Sequence, residues 1–177
     1  MPHNSPSQPK LGRDMALCFS LLFALGMLLN FVYDRARSTA RSDVCLENVS
    51  RQSRALLQYA TDYDSHFPPA PRWQTAMGHY LTHPLTSCPE TPRGPTAGLG
   101  YAMNGSQDGA VQGAKTQEIL LFETSSLVLN AHDRGESFAP RHGTSTSRLR
   151  KSWVSFGDGH TKLLSTDEFK TAIRPVK

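Results

Sequence analysis

Between Met15 and Tyr33 the chain reads MALCFSLLFALGMLLNFVY, 19 residues without a charge. As a helix this run rises about 28 Å at ~1.5 Å per residue, close to the ~30 Å hydrocarbon thickness of a bilayer. A single membrane-crossing helix is therefore expected. Two other readings stay open, a cleavable signal, because Lys10 and Arg13 precede the run, and a helix buried in a soluble core. Against a signal, the run exceeds the roughly 7–15 residues of a signal's apolar region. In place of a small-x-small cleavage site, Asp34-Arg35-Ala36-Arg37 follows it.

The whole chain has 177 residues, enough for one sizeable core and too few for a multidomain enzyme. Basic residues exceed acidic ones by four, and from Cys45 onward the counts are 14 and 12. No strong field for a polyanion follows, so nucleic acid is not an expected partner. The one basic cluster, Arg148-Leu149-Arg150-Lys151, lies in a Ser/Thr-rich stretch and reads as a solvated loop.

The expected organisation has four parts. Residues 1–14 open with MPHNSPSQPK, which offers nothing apolar to bury and reads as a disordered tail. Residues 15–33 are the membrane span. Residues 34–65 continue the same helix, since no Gly or Pro stands between Asn30 and Phe67. On it Leu46, Val49, Ser53, Leu56, Ala60 and Tyr63 draw one stripe at spacings of three and four, with Arg51, Gln52, Arg54, Gln58 and Asp62 on other faces. Residues 66–177 form a small β domain with long loops, opened by Phe67-Pro68-Pro69-Ala70-Pro71, which ends the helix.

Within that domain a short segment from Trp73 to Leu81 can be helical, and CPETPRGPTAGLG reads as an irregular loop. Strands are expected at Gly100–Asn104, Ile119–Thr124, Ser152–Phe156 and Thr161–Leu164, with Gly157-Asp158-Gly159 as a hairpin turn. The fold class is thus α+β: a long N-terminal helix serving as the spine of a small antiparallel sheet.

Of three cysteines, Cys18 lies inside the apolar run, and Cys45 and Cys88 remain as a candidate disulfide in a compartment outside the cytoplasm. A zinc site is less expected than this disulfide, for there is no CxxC.

In order, Ala40 to Tyr63, Cys88-Pro89, Tyr101-Ala102-Met103-Asn104, ILLFET at Ile119 to Thr124, Arg141-His142-Gly143 and VSFGDGHTKLL at Val154 to Leu164 resemble the type IV pilin-like proteins. The match is to the group with a prepilin-type processing-associated His-x9-Asp-Gly domain, itself similar to the major pseudopilin of type II secretion. The resemblance implies a bacterial membrane protein with a pilin-like fold and an extracytoplasmic domain. It implies membrane lipid, other pilin-like subunits and secretion-system components as partners, and no cofactor.

The chain departs from the family pattern in two places. Gly12 occupies the prepilin cleavage position, but Arg13-Asp14-Met15-Ala16-Leu17 follows, so Leu17 stands where the family carries a glutamate. The motif residues His142 and Asp158, with Gly159, are separated by 15 residues instead of nine, the excess falling in the Thr144–Lys151 loop. Charge counting adds a conflict: Lys10 and Arg13 precede the span and Arg35, Arg37 and Arg41 follow it, which favours a cytoplasmic domain. We follow the resemblance.

His142, Asp158 and His160 are the residues most open to chemistry. The rival class is a membrane-tethered metal-dependent hydrolase using these three. The structural reading puts Asp158 in the turn, accepting backbone N–H groups, with His142 packed or hydrogen-bonded against it. His79 and His83 stand four apart but lack the glutamate of a metalloprotease helix, and Asp62 and Asp64 lack the rest of a calcium loop. Gly98-Leu99-Gly100 lacks a third glycine, and no serine lies in GxSxG. A third possibility is a secreted domain released by signal cleavage. The expectation is a structural or interaction protein, not an enzyme, held in the cell membrane by one pass and associated with a type II secretion or type IV pilus-like system.

Overall fold

The structure, a computed structural model, describes residues 9–84, 86–91, 99–113, 116–143 and 150–173. Residues 1–8, most of the CPETPRGPTAGLG loop and most of the Thr144–Lys151 insertion, with Arg148 and Leu149, lie outside them. The chain is α+β, with one long apolar N-terminal helix and a five-stranded mixed sheet. It divides into two compact units at Thr39/Ala40.

Helix α1 runs Pro9–Asp62. It starts inside the segment expected to be a disordered tail: proline is tolerated in a first turn, where its missing N–H has no partner to lose. Within the first unit the large apolar side chains are open, Leu21 at 70% exposure and Phe23 at 72%. The two polar side chains of the run bond within the helix: Ser20 Oγ donates to the Leu17 carbonyl at 2.8 Å, and Asn30 Nδ2 to that of Gly26 at 2.8 Å.

In the second unit α1 presents Cys45, Asn48, Val49, Gln52, Ser53, Leu56 and Ala60 to the interior. This arc is broader than the expected stripe. Gln52, expected on an outer face, is buried, its Nε2 donating to the Asn48 carbonyl at 3.1 Å, whereas Tyr63 is exposed and stacks on Tyr59. The helix stops at Asp62, before the prolines. Asp64 and Ser65 take φ of 51° and 63°, and the Ser65 N–H closes back on the Ala60 carbonyl at 2.7 Å, a left-handed termination that makes Pro68 unnecessary as the stop.

A chain of short helical turns follows over Ala70–Tyr80, including α2, Trp73–Ala76. Trp73 is buried, and its indole N–H donates to the Ala131 carbonyl at 2.8 Å. The strands are β1 (Tyr101–Asn104), β2 (Ile119–Glu123), β3 (His132–Asp133), β4 (Lys151–Phe156) and β5 (Thr161–Ser165). Their order is β3-β1-β2-β4-β5.

Antiparallel pairing joins β1 to β2, β2 to β4 and β4 to β5. The expected all-antiparallel sheet is corrected by β3, which pairs parallel to β1. Two polar residues at an edge carry no periodic signal.

The central strand β2 is buried throughout, as a continuous apolar run covered on both faces should be. A register shift between Ile119 and Leu121 breaks its alternation. Leu120 and Leu121 consequently join Cys45, Val49, Leu56, Trp73, Tyr101 and Met103 in one core cluster. Ile119 and Phe122 join Ala102, Val154, Leu164 and Phe169 in the other. Phe169 belongs to α3, Thr166–Ala172, an element not among the sequence expectations; Ser165 caps it, with Glu168 returning the bond. Thus α1 covers one face of the sheet and α3 the other.

The expected turn between β4 and β5 is present. Gly159 has φ 90°, and a Cβ there would lie 2.6 Å from Leu57 Cδ1 of α1. Its left-handed φ therefore favours glycine, while Leu57 would have to swing aside for any side chain there. Cys45 and Cys88 are bonded, tying α1 to the segment before β1 across a separation of 43 residues.

Candidate functional site

The polar centre of the domain is Glu123, the last residue of β2, whose side chain is fully buried. One oxygen, Oε1, accepts from His142 Nε2 at 2.8 Å. The other accepts from the Trp153 backbone N–H at 3.0 Å and from the Ser152 hydroxyl. Burying a carboxylate without such donors is costly, so these bonds make the placement tenable.

His142 is fixed by its own backbone, which exchanges hydrogen bonds with Lys151 of β4 at 2.8 and 2.7 Å. Its neighbour Arg141 spans the gap to β1, donating to the carbonyls of Gly100, at 3.2 Å, and Thr124. Burial lowers the Arg141 pKa, opposed by the charge of Glu123. Burial likewise pushes the Tyr101 phenol well above its usual value, with Glu123 adding to the effect. The Tyr101 hydroxyl accepts from Asn48 of α1 at 3.2 Å.

The disulfide borders this centre. The sulfurs of Cys45 and Cys88, a carboxylate oxygen of Glu123 and a ring nitrogen of His142 all lie within 4.8 Å of one another, and all four residues are buried.

Asp158 sits elsewhere in character, exposed in the β4–β5 turn. Its Oδ1 accepts from the His160 backbone N–H at 3.0 Å and contacts His160 Nδ1 at 2.5 Å. Slight burial raises its pKa, but the hydrogen bonds from His160 and that ring's charge outweigh this and hold the carboxyl below its usual range. The His160 ring stacks on Phe156 with centroids 4.2 Å apart.

The three residues grouped as a catalytic or metal set thus take different partners. His142 pairs with Glu123 and Asp158 with His160, and among the described residues no hydrogen bond or ion pair joins the two pairs. The expectation that His142 bonds against the turn is corrected: its acceptor is a strand carboxylate. Glu123 carries no sequence signal of its role because it ends an apolar run.

The remaining candidates separate as well. The helical turn bearing His79 ends at Tyr80, and the His83 carbonyl accepts from Arg51 at 2.8 Å, so the two histidines share no helix face. Asp62 accepts from the Tyr80 hydroxyl at 2.8 Å, a bond that pushes this phenol up to about 12, while Asp64 occupies the left-handed turn. Gly12 lies inside α1, where an added Cβ would meet nothing within 4 Å, and Cys18 is an exposed free thiol. Gly98 lies outside the described residues.

No protein-family model matches the chain, and neither the curated proteins nor the solved structures contain a match to it.

Proposed function

We propose that the chain is a single-pass membrane-anchored structural or interaction protein of pilin-like or pseudopilin-like type, associated with a type II secretion or type IV pilus-like system. One observation carries this: the apolar side chains of residues 15–33 are open to their surroundings, while Ser20 and Asn30 bond within their own helix. A helix with this surface and its polar side chains bonded internally suits hydrocarbon. The long helix packed by its C-terminal half against a small sheet supports the pilin-like comparison.

The domain is placed outside the cytoplasm, where the Cys45–Cys88 bond persists. Leu17 removes the charge that family members carry near the start of the span, so self-assembly into filaments is not expected. The Glu123–His142 pair acts structurally, joining β2 to the segment before β4. Protease applied to intact cells and to inside-out vesicles tests the placement: the domain should be cut in intact cells and protected in the vesicles. The reverse pattern would place it in the cytoplasm and remove the secretion-system assignment.

A further inference from the structure

We propose that Cys45, Cys88, Glu123 and His142 form a redox-convertible site for a zinc-class divalent ion: disulfide when oxidised, four-ligand metal centre when reduced. Four ligand atoms from four separate places in the chain already lie within 4.8 Å of one another. Around a tetrahedral zinc, with bonds of about 2.0–2.3 Å, ligand atoms stand roughly 3.3–3.8 Å apart. The change needed is on the order of 1 Å, within reach of side-chain rotation. The Cys45 and Cys88 Cα atoms, 5.2 Å apart, need not separate.

The donor set is selective. Two thiolates, an imidazole and a carboxylate suit a borderline-soft ion and not calcium or magnesium. Glu123 is already oriented: Ser152 and Trp153 hold Oε2, leaving Oε1 on the His142 side. Such fixing of a ligand's free oxygen is what a metal site requires of its surroundings. Two thiolates, one carboxylate and a dication sum to one negative charge, and the Arg141 guanidinium, which donates to the carbonyl of Thr124 next to Glu123 in the chain, offsets it.

The two states exclude each other because a disulfide sulfur is not a thiolate. Conversion takes an external dithiol: it attacks the Cys45–Cys88 bond, passes two electrons and two protons to the pair, and leaves as its own disulfide. Zinc then binds as both thiols release their protons to solvent. The metal would hold α1 to the Cys88 segment in chains whose cysteines are not yet oxidised, as the covalent bond does afterwards. Sequence spacing cannot reveal such a site, since no two ligands are near neighbours in the chain.

The test uses the full chain in detergent with Cys18→Ser, so that the two site cysteines are its remaining thiols. After phosphine reduction and anaerobic desalting, cobalt(II) should saturate at one equivalent, giving tetrahedral d–d bands and thiolate charge-transfer absorption that zinc bleaches. The oxidised chain should give neither. Glu123→Gln and His142→Gln should each weaken cobalt binding by at least about tenfold, since losing a ligand costs no less than losing a partner that orients one. Because either variant can fail to fold, a second measurement needs neither: one equivalent of zinc should slow alkylation of Cys45 and Cys88 in the reduced Cys18→Ser chain by about tenfold or more. Equal alkylation rates with and without zinc, or no thiolate-to-cobalt absorption in the reduced chain, would overturn the proposal. Unaltered cobalt affinity in folded Glu123→Gln and His142→Gln would overturn the four-ligand assignment.

Discussion

Glu123 links three parts of the domain, meeting His142, Ser152 and the Trp153 backbone. Its removal leaves buried donors unpaired, and an unsatisfied buried donor costs about 1–3 kcal/mol. Glu123→Ala should therefore lower the unfolding free energy by that amount, read from denaturant unfolding followed by Trp73 and Trp153 fluorescence. A loss under ~1 kcal/mol would mean that the centre is not structural. Asp158 gives a contrasting case at the surface. Its folded pKa is lowered, so its contribution is complete above the ordinary aspartate value and is lost as pH falls through the lowered one. Asp158→Asn should flatten that acid limb of the stability profile, and an unchanged limb would refute the assignment. His142 and Asp158 are legible in the sequence as polar residues of interest, and the Asp158 carboxylate accepts a backbone N–H in the turn as expected; the acceptor of His142 is hidden there. Glu123 lies 19 residues from His142, and only the pairing of β2 with β4 brings Ser152 and Trp153 to it.

At the level of elements, the regular pieces with a period were legible. The long helix and four of the strands fall within a few residues of expectation, because β-branched and aromatic runs between glycines leave few alternatives. What escaped was short or interrupted. β3 has two residues and no alternation. α3 has seven residues, a single buried side chain, Phe169, and a capping box, Ser165 to Glu168, that is visible in the sequence yet lies beyond the hairpin. Its Phe169 stacks on Phe138 with centroids 3.8 Å apart and meets Phe122 edge-on at 5.3 Å, so the cap holds a helix that closes one face of the sheet. Ser165→Ala should cost about 1 kcal/mol, seen as a lower denaturation midpoint at unchanged slope; no shift would show that Phe169 alone holds α3. The broad buried arc of α1 also exceeded its apolar stripe. Gln52 and Asn48 are polar residues that the interior accepts through Nε2 and Nδ2 bonds, something a hydrophobic pattern cannot encode.

For the whole molecule, composition separates an N-terminal apolar run ending at Tyr33 from a nearly neutral remainder, and the two compact units of the structure divide at Thr39/Ala40. The second unit buries its apolar surface in two clusters, one on each side of the sheet. The first unit leaves its large apolar side chains open, and a continuous apolar surface of that kind marks a site of interaction with a membrane or partner. Everything proposed about location, partners and the persistence of the disulfide depends on what covers residues 15–33. Alkaline carbonate extraction of membranes carrying the full-length chain measures this most directly. The chain should stay in the membrane pellet at full length; its release into the supernatant, or recovery only as a fragment cleaved after the apolar run, would overturn the membrane anchor.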